Sequence, residues 1–278
     1  NWSTGGGSFD LSTVWLSGMD IPVGLAEFNG HLIVFGKKSI VVYNNPWEPT
    51  GTGAIDATTM TLVENIGGIG CIARDSIQHI GSDILFLSQQ GVRSLGRTIQ
   101  EKSMPINNIS KNVNDELNAI VLTETLSNIK SAYSSSEGFY LLSLPDSDTS
   151  YYFDLRYPLE DNSFRTTKWA KSFTALSVSS TDTLYIGSAG YISTYTGYLD
   201  DVLADGSDGS TYDISYESGW NDISSEGQNL SSILKIPKKL SVLLLGGTGQ
   251  TLNVKWAYDF VDDFTSYNKT IASSGSAE

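Results

Sequence analysis

Four times along the chain, a short apolar run is followed by a polar or glycine turn and then by a second run rich in aromatic or β-branched residues. The first copy is Leu32-Ile33-Val34-Phe35, a turn at Gly36-Lys37-Lys38, and Ile40-Val41-Val42-Tyr43. The second is Ile84-Leu85-Phe86-Leu87, Gln89-Gln90-Gly91 and Val92-Arg93-Ser94-Leu95. The third is Phe139-Tyr140-Leu141-Leu142, a loop at Pro145-Asp146-Ser147-Asp148, and Tyr151-Tyr152-Phe153. The fourth is Leu184-Tyr185-Ile186, Ser188-Ala189-Gly190 and Tyr191-Ile192-Ser193-Thr194-Tyr195. The copies begin at Leu32, Ile84, Phe139 and Leu184, a period of roughly 45 to 55 residues, close to the spacing of four-stranded propeller blades. Each hairpin follows a turn signal, at Asn29-Gly30, Gly81-Ser82-Asp83, Glu137-Gly138 and Thr181-Asp182-Thr183, which predicts one more strand ahead of it. A single sheet of this kind cannot bury both faces alone. The expected fold is therefore all-β, a β-propeller, with an ordinary β-sandwich as the alternative.

Composition agrees with β structure. Fourteen Tyr, ten Phe and 27 Gly accompany only 17% charged residues, a balance suited to strands and turns rather than helical bundles. With 278 residues and 40% hydrophobic content, the chain can bury a core. Its longest apolar runs are strand-sized, so no membrane-spanning helix is expected, and no basic and apolar leader opens it. It begins at Asn1 without a methionine and stops at Glu278, and both ends are expected to be cuts in a longer polypeptide. The net charge of −14 argues against a surface that grips nucleic acid, because phosphate affinity needs Lys and Arg to displace counterions. It is compatible with a surface past which a polyanion slides.

Residues 1–197 carry the repeat and are expected to be propeller blades, part of a larger propeller. A short helical insertion interrupts them: Ile109, Val113, Leu117 and Ile120 recur at helical spacing and share one face, with Ser110 or Asn108 as the cap. Residues 198–212, with Asp200-Asp201 and Asp205-Gly206-Ser207-Asp208-Gly209-Ser210, form an acidic linker loop. Residues 213–278 are expected to be a second, small antiparallel β domain, truncated at its end. In it Lys239–Leu245 and Thr251–Trp256 alternate and are joined by Gly246-Gly247-Thr248-Gly249, as in a paired hairpin.

Residue types that carry chemistry are sparse. Cys71 is the only cysteine and lies beside Ile72 and Ala73; it excludes an intrachain disulfide and a multi-cysteine metal site and is expected to be a small buried residue. His31 and His79 are the only histidines, each beside a strand at an equivalent place in the repeat, and both are expected to be structural. No Gly-x-Ser-x-Gly elbow supports a serine nucleophile. Asp154, Glu160 and Asp161 flank Arg156 and Arg165; as glycosidase carboxylates, two of them would have to lie ~5–9 Å apart. Tyr151, Tyr152 and Tyr157 with Trp169 could form a sugar-stacking surface. The Asp205-x-x-Asp208-Gly209 run lacks the ligand spacing of a calcium loop. Gly67-Gly68-Ile69-Gly70, like Gly246–Gly249, lacks the Lys-Ser/Thr of a phosphate loop and is expected to be a turn. No catalytic, metal or cofactor site is expected.

Three stretches resemble the propeller of the tail nozzle proteins of short-tailed phages, the tail tubular protein B family: Phe35–Tyr43, Gly70–Gln78 and Leu85–Leu95. Glu217-Ser218-Gly219-Trp220-Asn221-Asp222, followed by Leu234-Lys235 and Val254–Phe260, is similar to the segment after the propeller in that family. The order of these stretches carries the resemblance, which covers about residues 26 to 260. It implies a non-enzymatic podophage virion protein, made in the bacterial host cytoplasm, with no catalytic residues to carry over. It also implies a homohexameric ring below the portal and tail adaptor, tail fibres as neighbours, and a lumen that conducts genomic DNA during ejection. The helix over 107–121 and the acidic loop over Tyr198–Tyr212 are the candidate contact elements. Two other classes compete: a glycan-binding or glycan-cleaving propeller of a tailspike or bacterial protein, and a bacterial protein-interaction propeller closed within one chain.

Overall fold

Each hairpin of the repeat is present, and each sits in its own antiparallel sheet. A computed structural model describes residues 11, 14–15, 19–44, 60–101, 109–188, 190–195, 213–217, 251–258 and 263–270. The chain divides into two units, Asn1–Tyr198 and Leu199–Glu278.

In the first unit, sheet one contains β1 (Pro22–Phe28), β2 (His31–Gly36), β3 (Ser39–Tyr43) and β4 (Leu62–Gly67). Sheet two contains β5 (Gln78–His79), β6 (Ile84–Ser88) and β7 (Gly91–Ser94). Sheet three contains β8 (Lys130–Ser134), β9 (Phe139–Leu144), β10 (Thr149–Pro158) and β11 (Phe164–Trp169). Sheet four contains β12 (Ala175–Val178), β13 (Leu184–Ser188) and β14 (Tyr191–Thr194). Neighbours in sequence are neighbours in every sheet, so each is a meander, and the all-β class follows directly. The turns fall where the sequence signals them. Asn29 and Gly30 have φ of 50° and 76°, the paired left-handed conformation that a two-residue hairpin turn requires.

Successive side chains of a strand point to opposite faces, and here both faces find apolar partners. In β6, Ile84 and Phe86 pack with Ile33, Phe35 and Ile40 of sheet one, whereas Leu85 and Leu87 pack with Tyr140, Leu142 and Tyr151 of sheet three. In β9, Phe139 and Leu141 turn the other way, onto Leu184 and Ile186 of sheet four. Three apolar layers thus join four sheets in chain order. The apolar runs of the repeat follow from this, since a strand covered on both sides favours apolar side chains at successive positions, and the buried polar ones, Ser88 and Ser143, are hydrogen-bonded.

The sheets meet at their first strands. β8 lies beside both β5 and β12, and Gln78 Nε2 donates to the Ser131 carbonyl at 3.1 Å. At β1, a Cβ on Gly24 would stand 2.6 Å from Ile77 Cδ1. On the far side of sheet two, helices occupy the space between sheets. α1 (Leu95–Glu101) puts Leu95 and Ile99 against the layer between sheets one and two. α2 (Asn114–Val121) puts Leu117 and Val121 into the layer between sheets two and three. Sheet two has three strands, and α1 follows the last of them directly.

α1 departs from the sequence expectation, which continued the strand to Leu95. The Asp83 carboxylate accepts from Ser94 Oγ and, at 2.8 Å, from the Gly96 N–H, while Ser94 Oγ accepts from the Arg97 N–H at 3.3 Å. These bonds satisfy the free amides of a first helical turn, and the strand ends at Ser94. Of the insertion expected over 107–121, the described part is a 3-10 turn at Lys111–Val113 followed by α2. Ile109 is buried, and Val113 and Ile120 pack partly against the same layer. Ser110 does not cap the helix; its Oγ accepts from the Val92 N–H at 2.9 Å. Asn108, the other proposed cap, lies outside the described residues. One face of the helix is anchored to the core through Leu117 and Val121.

Gly67–Gly70 is a turn and a close approach. Gly68 has φ +82°, and a Cβ on Gly70 would lie 2.3 Å from the Gly36 carbonyl oxygen, which accepts from the Cys71 N–H at 2.8 Å. In the second unit, β15 (Thr251–Trp256) pairs with β16 (Thr265–Thr270), Trp256 opposite Thr265. The expected pairing of β15 with Lys239–Leu245, the acidic linker over 198–212 and the run at Asp205–Gly209 lie outside the described residues.

Leu142 is fully buried and Ile192 is 82% exposed. Leu142→Ala is expected to cost about 2–5 kcal/mol through its cavity and Ile192→Ala within about 0.5 kcal/mol, read from urea midpoints at unchanged slope; equal costs would contradict the layered packing. Gly70→Ala forces backbone apart and is expected to lower the midpoint more than Gly68→Ala, although only Gly68 has positive φ.

Candidate functional site

The candidate nucleophile and bases are built into the fabric of the sheets. Cys71 is fully buried between sheets one and two, with Sγ 3.1 Å from the Ala73 carbonyl, and burial pushes its thiol up to about 11. The reactive form of cysteine is the thiolate, so this thiol is unsuited to nucleophilic attack. His31 opens β2 opposite Phe28, its Nδ1 3.0 Å from the Asn29 carbonyl. His79 stands opposite Ile84 at the edge of sheet two. His31 opens the second strand of its hairpin and His79 closes the first strand of its own, so they lie on opposite sides of their turns and not at the equivalent places the sequence suggests.

Of the three carboxylates that could have formed a glycosidase pair, Asp154 and Asp161 are committed to cations and backbone amides, and Glu160 is exposed on the surface. Asp154 receives Arg156 Nε at 2.9 Å and Nη2 at 2.8 Å, and that guanidinium holds its carboxyl below the usual range. Asp161 pairs with Lys111 Nζ at 2.7 Å and accepts from Ser163 Oγ at 2.6 Å; these donors, Lys111 foremost, hold it well below the usual range. A glycosidase acid needs its pKa raised, and both are shifted the wrong way. Arg165 stands opposite Asp154 across the β10–β11 ladder.

The proposed aromatic platform does not assemble either. Tyr151 is fully buried toward sheet two, while Tyr152 and Trp169 pack toward sheet four. Trp169 stacks on Tyr195 at a ring separation of 6.3 Å and meets Phe173 edge-on. Only Tyr157, 68% exposed, remains open to a ligand. The alternation that makes β10 a strand sends Tyr151 and Tyr152 to opposite faces.

A different set of carboxylates holds the sheets in place. Asp75, on the 3-10 turn Arg74–Ser76 before β5, pairs with Arg74 at 2.7 Å and with Lys130 of sheet three. The Asp75 carbonyl accepts from Ser131 Oγ at 2.7 Å. Asp182, before β13, reaches back to the β8–β9 turn, accepting from Ser135 Oγ at 3.0 Å and from the Ser136 N–H. Asp20 collects the N–H groups of Lys37 and Lys38 at 2.8 and 3.0 Å. Asp146 accepts from the Thr125 N–H at 2.7 Å and Asn128 Nδ2 at 2.9 Å, and Asp148 from Ser172. Donors at Arg74, Thr125 and Ser136 respectively hold Asp75, Asp146 and Asp182 below the ordinary carboxylate range. Asp182 was expected only as part of a turn, and Asp20 and Asp75 were not singled out; the available signal was an aspartate at a turn shortly before a strand.

The outer face of sheet one carries an apolar groove of about 560 Å³, lined among others by Leu25, Leu32, Val34, Tyr43 and Arg74. Its one charged lining side chain, Arg74, is engaged by Asp75, so it offers surface but no reacting group. Among the described residues no three or more His, Cys, Asp or Glu side chains gather as a metal site, and no helix is long and apolar enough to cross a membrane. No protein-family model matches the chain, and no curated protein matches it in sequence.

Two outcomes follow from the site chemistry. The Cys71 thiol is expected to resist a disulfide reagent at pH 8 in the native protein and to react fully in denaturant; rapid native labelling would contradict its burial. For Asp75, Asp146, Asp161 and Asp182 the folded-state pKa lies below the unfolded value of about 4. The folded state therefore binds fewer protons in acid, and the stabilisation, complete above about pH 5, is lost as pH falls through the depressed values. Asp182→Ala is expected to lower the urea midpoint at pH 7 and to approach the parent as pH falls through the depressed value; a pH-independent difference would show that ionisation of Asp182 is not involved.

Proposed function

We propose that the chain is a structural component of a short-tailed phage tail, a nozzle protein of the tail tubular protein B type. In this reading the four sheets are blades of a β-propeller. Six copies form a ring below the tail adaptor and portal, tail fibres dock nearby, and genomic DNA passes through the lumen without sequence-specific binding. The observation that carries the reading is the row of four antiparallel meanders, closest at their first strands, combined with the order of stretches that resemble the family. Radial blades converge at their inner strands and leave wedge-shaped space outside; α1 and α2 occupy such space. The reading assigns the chain no catalysis and no cofactor, and a virion location.

The glycan-active alternative is less well supported. It needs a carboxylate with a raised pKa and an exposed aromatic platform; Asp154 and Asp161 are held low, and Tyr151, Tyr152 and Trp169 are drawn into the core.

The test is the mass of the full-length protein by light scattering or native mass spectrometry, with negative-stain imaging beside its adaptor. Ring particles of about six subunits, alone or once adaptor is added, are the expected outcome. A monomer that ignores the adaptor and binds or cuts polysaccharide would overturn the reading.

A further inference from the structure

We draw no further inference here: the strongest candidate, the apolar groove on the outer face of sheet one lined by Leu25, Leu32, Val34 and Tyr43, is only partly covered, by Leu11 and Met60, and nothing in the structure shows what covers the rest.

Discussion

Two-sided burial of the middle strands is the constraint on which the first unit depends. A sheet of three or four short strands has two faces, and a single apolar layer stabilises only one. Because β6 alternates between Ile84 and Phe86 on one side and Leu85 and Leu87 on the other, sheet two is complete only between its neighbours. The same holds for β9 between sheets two and four. Stability is then a sum over junctions more than over sheets, as in other repeat architectures. Loss of one layer would expose apolar faces on two sheets at once.

Apolar layers resist water but are non-directional, so they do not fix the angle at which one sheet meets the next. Direction comes from polar ties at the rims. Asp75 with Lys130, and Tyr140 OH donating to the Ser76 carbonyl at 2.9 Å, join sheet two to sheet three. Asp182 joins sheet three to sheet four. On the far side Lys111–Asp161 and Lys168–Glu116 join sheet three to α2 and the turn before it. Exposed ion pairs contribute little energy each. Their role here is geometric, since a hydrogen bond weakens steeply when its angle departs from linear.

The hairpins were legible because two-sided burial and tight turns both leave local marks: an uninterrupted apolar run, then Asn-Gly or a Gly-containing turn. What was not legible depends on partners distant in sequence. The end of β7 is set by Asp83, across the sheet from Ser94, so a strand continuing through Leu95 was the natural local reading. Ser110 looked like a helix cap, yet its hydroxyl serves the Val92 amide. Tyr151 and Tyr152 looked like one surface because adjacency in sequence conceals the strand's alternation. The candidate carboxylates failed for a related reason: Asp161 sits beside Glu160 in sequence, but Lys111 is its partner in space.

This pairing also changes what the acidic balance of the chain means. A carboxylate matched by Lys or Arg, such as Asp75, Asp154, Asp161 or Glu116, contributes little net field beyond its own neighbourhood. Asp20, Asp146, Asp148 and Asp182 are held instead by amide, hydroxyl and side-chain amide donors. Such donors orient a carboxylate without cancelling its charge. They make it a fixed negative point on a rigid turn, and at Asp146 and Asp182 a depressed pKa keeps that point charged into mild acid. On the proposed nozzle reading such fixed charge would be the useful kind, because a mobile acidic side chain can fold away as a polyanion approaches whereas a tied one cannot. The total of −14 is therefore a poorer guide to the field around the chain than the positions of these tied, unneutralised aspartates.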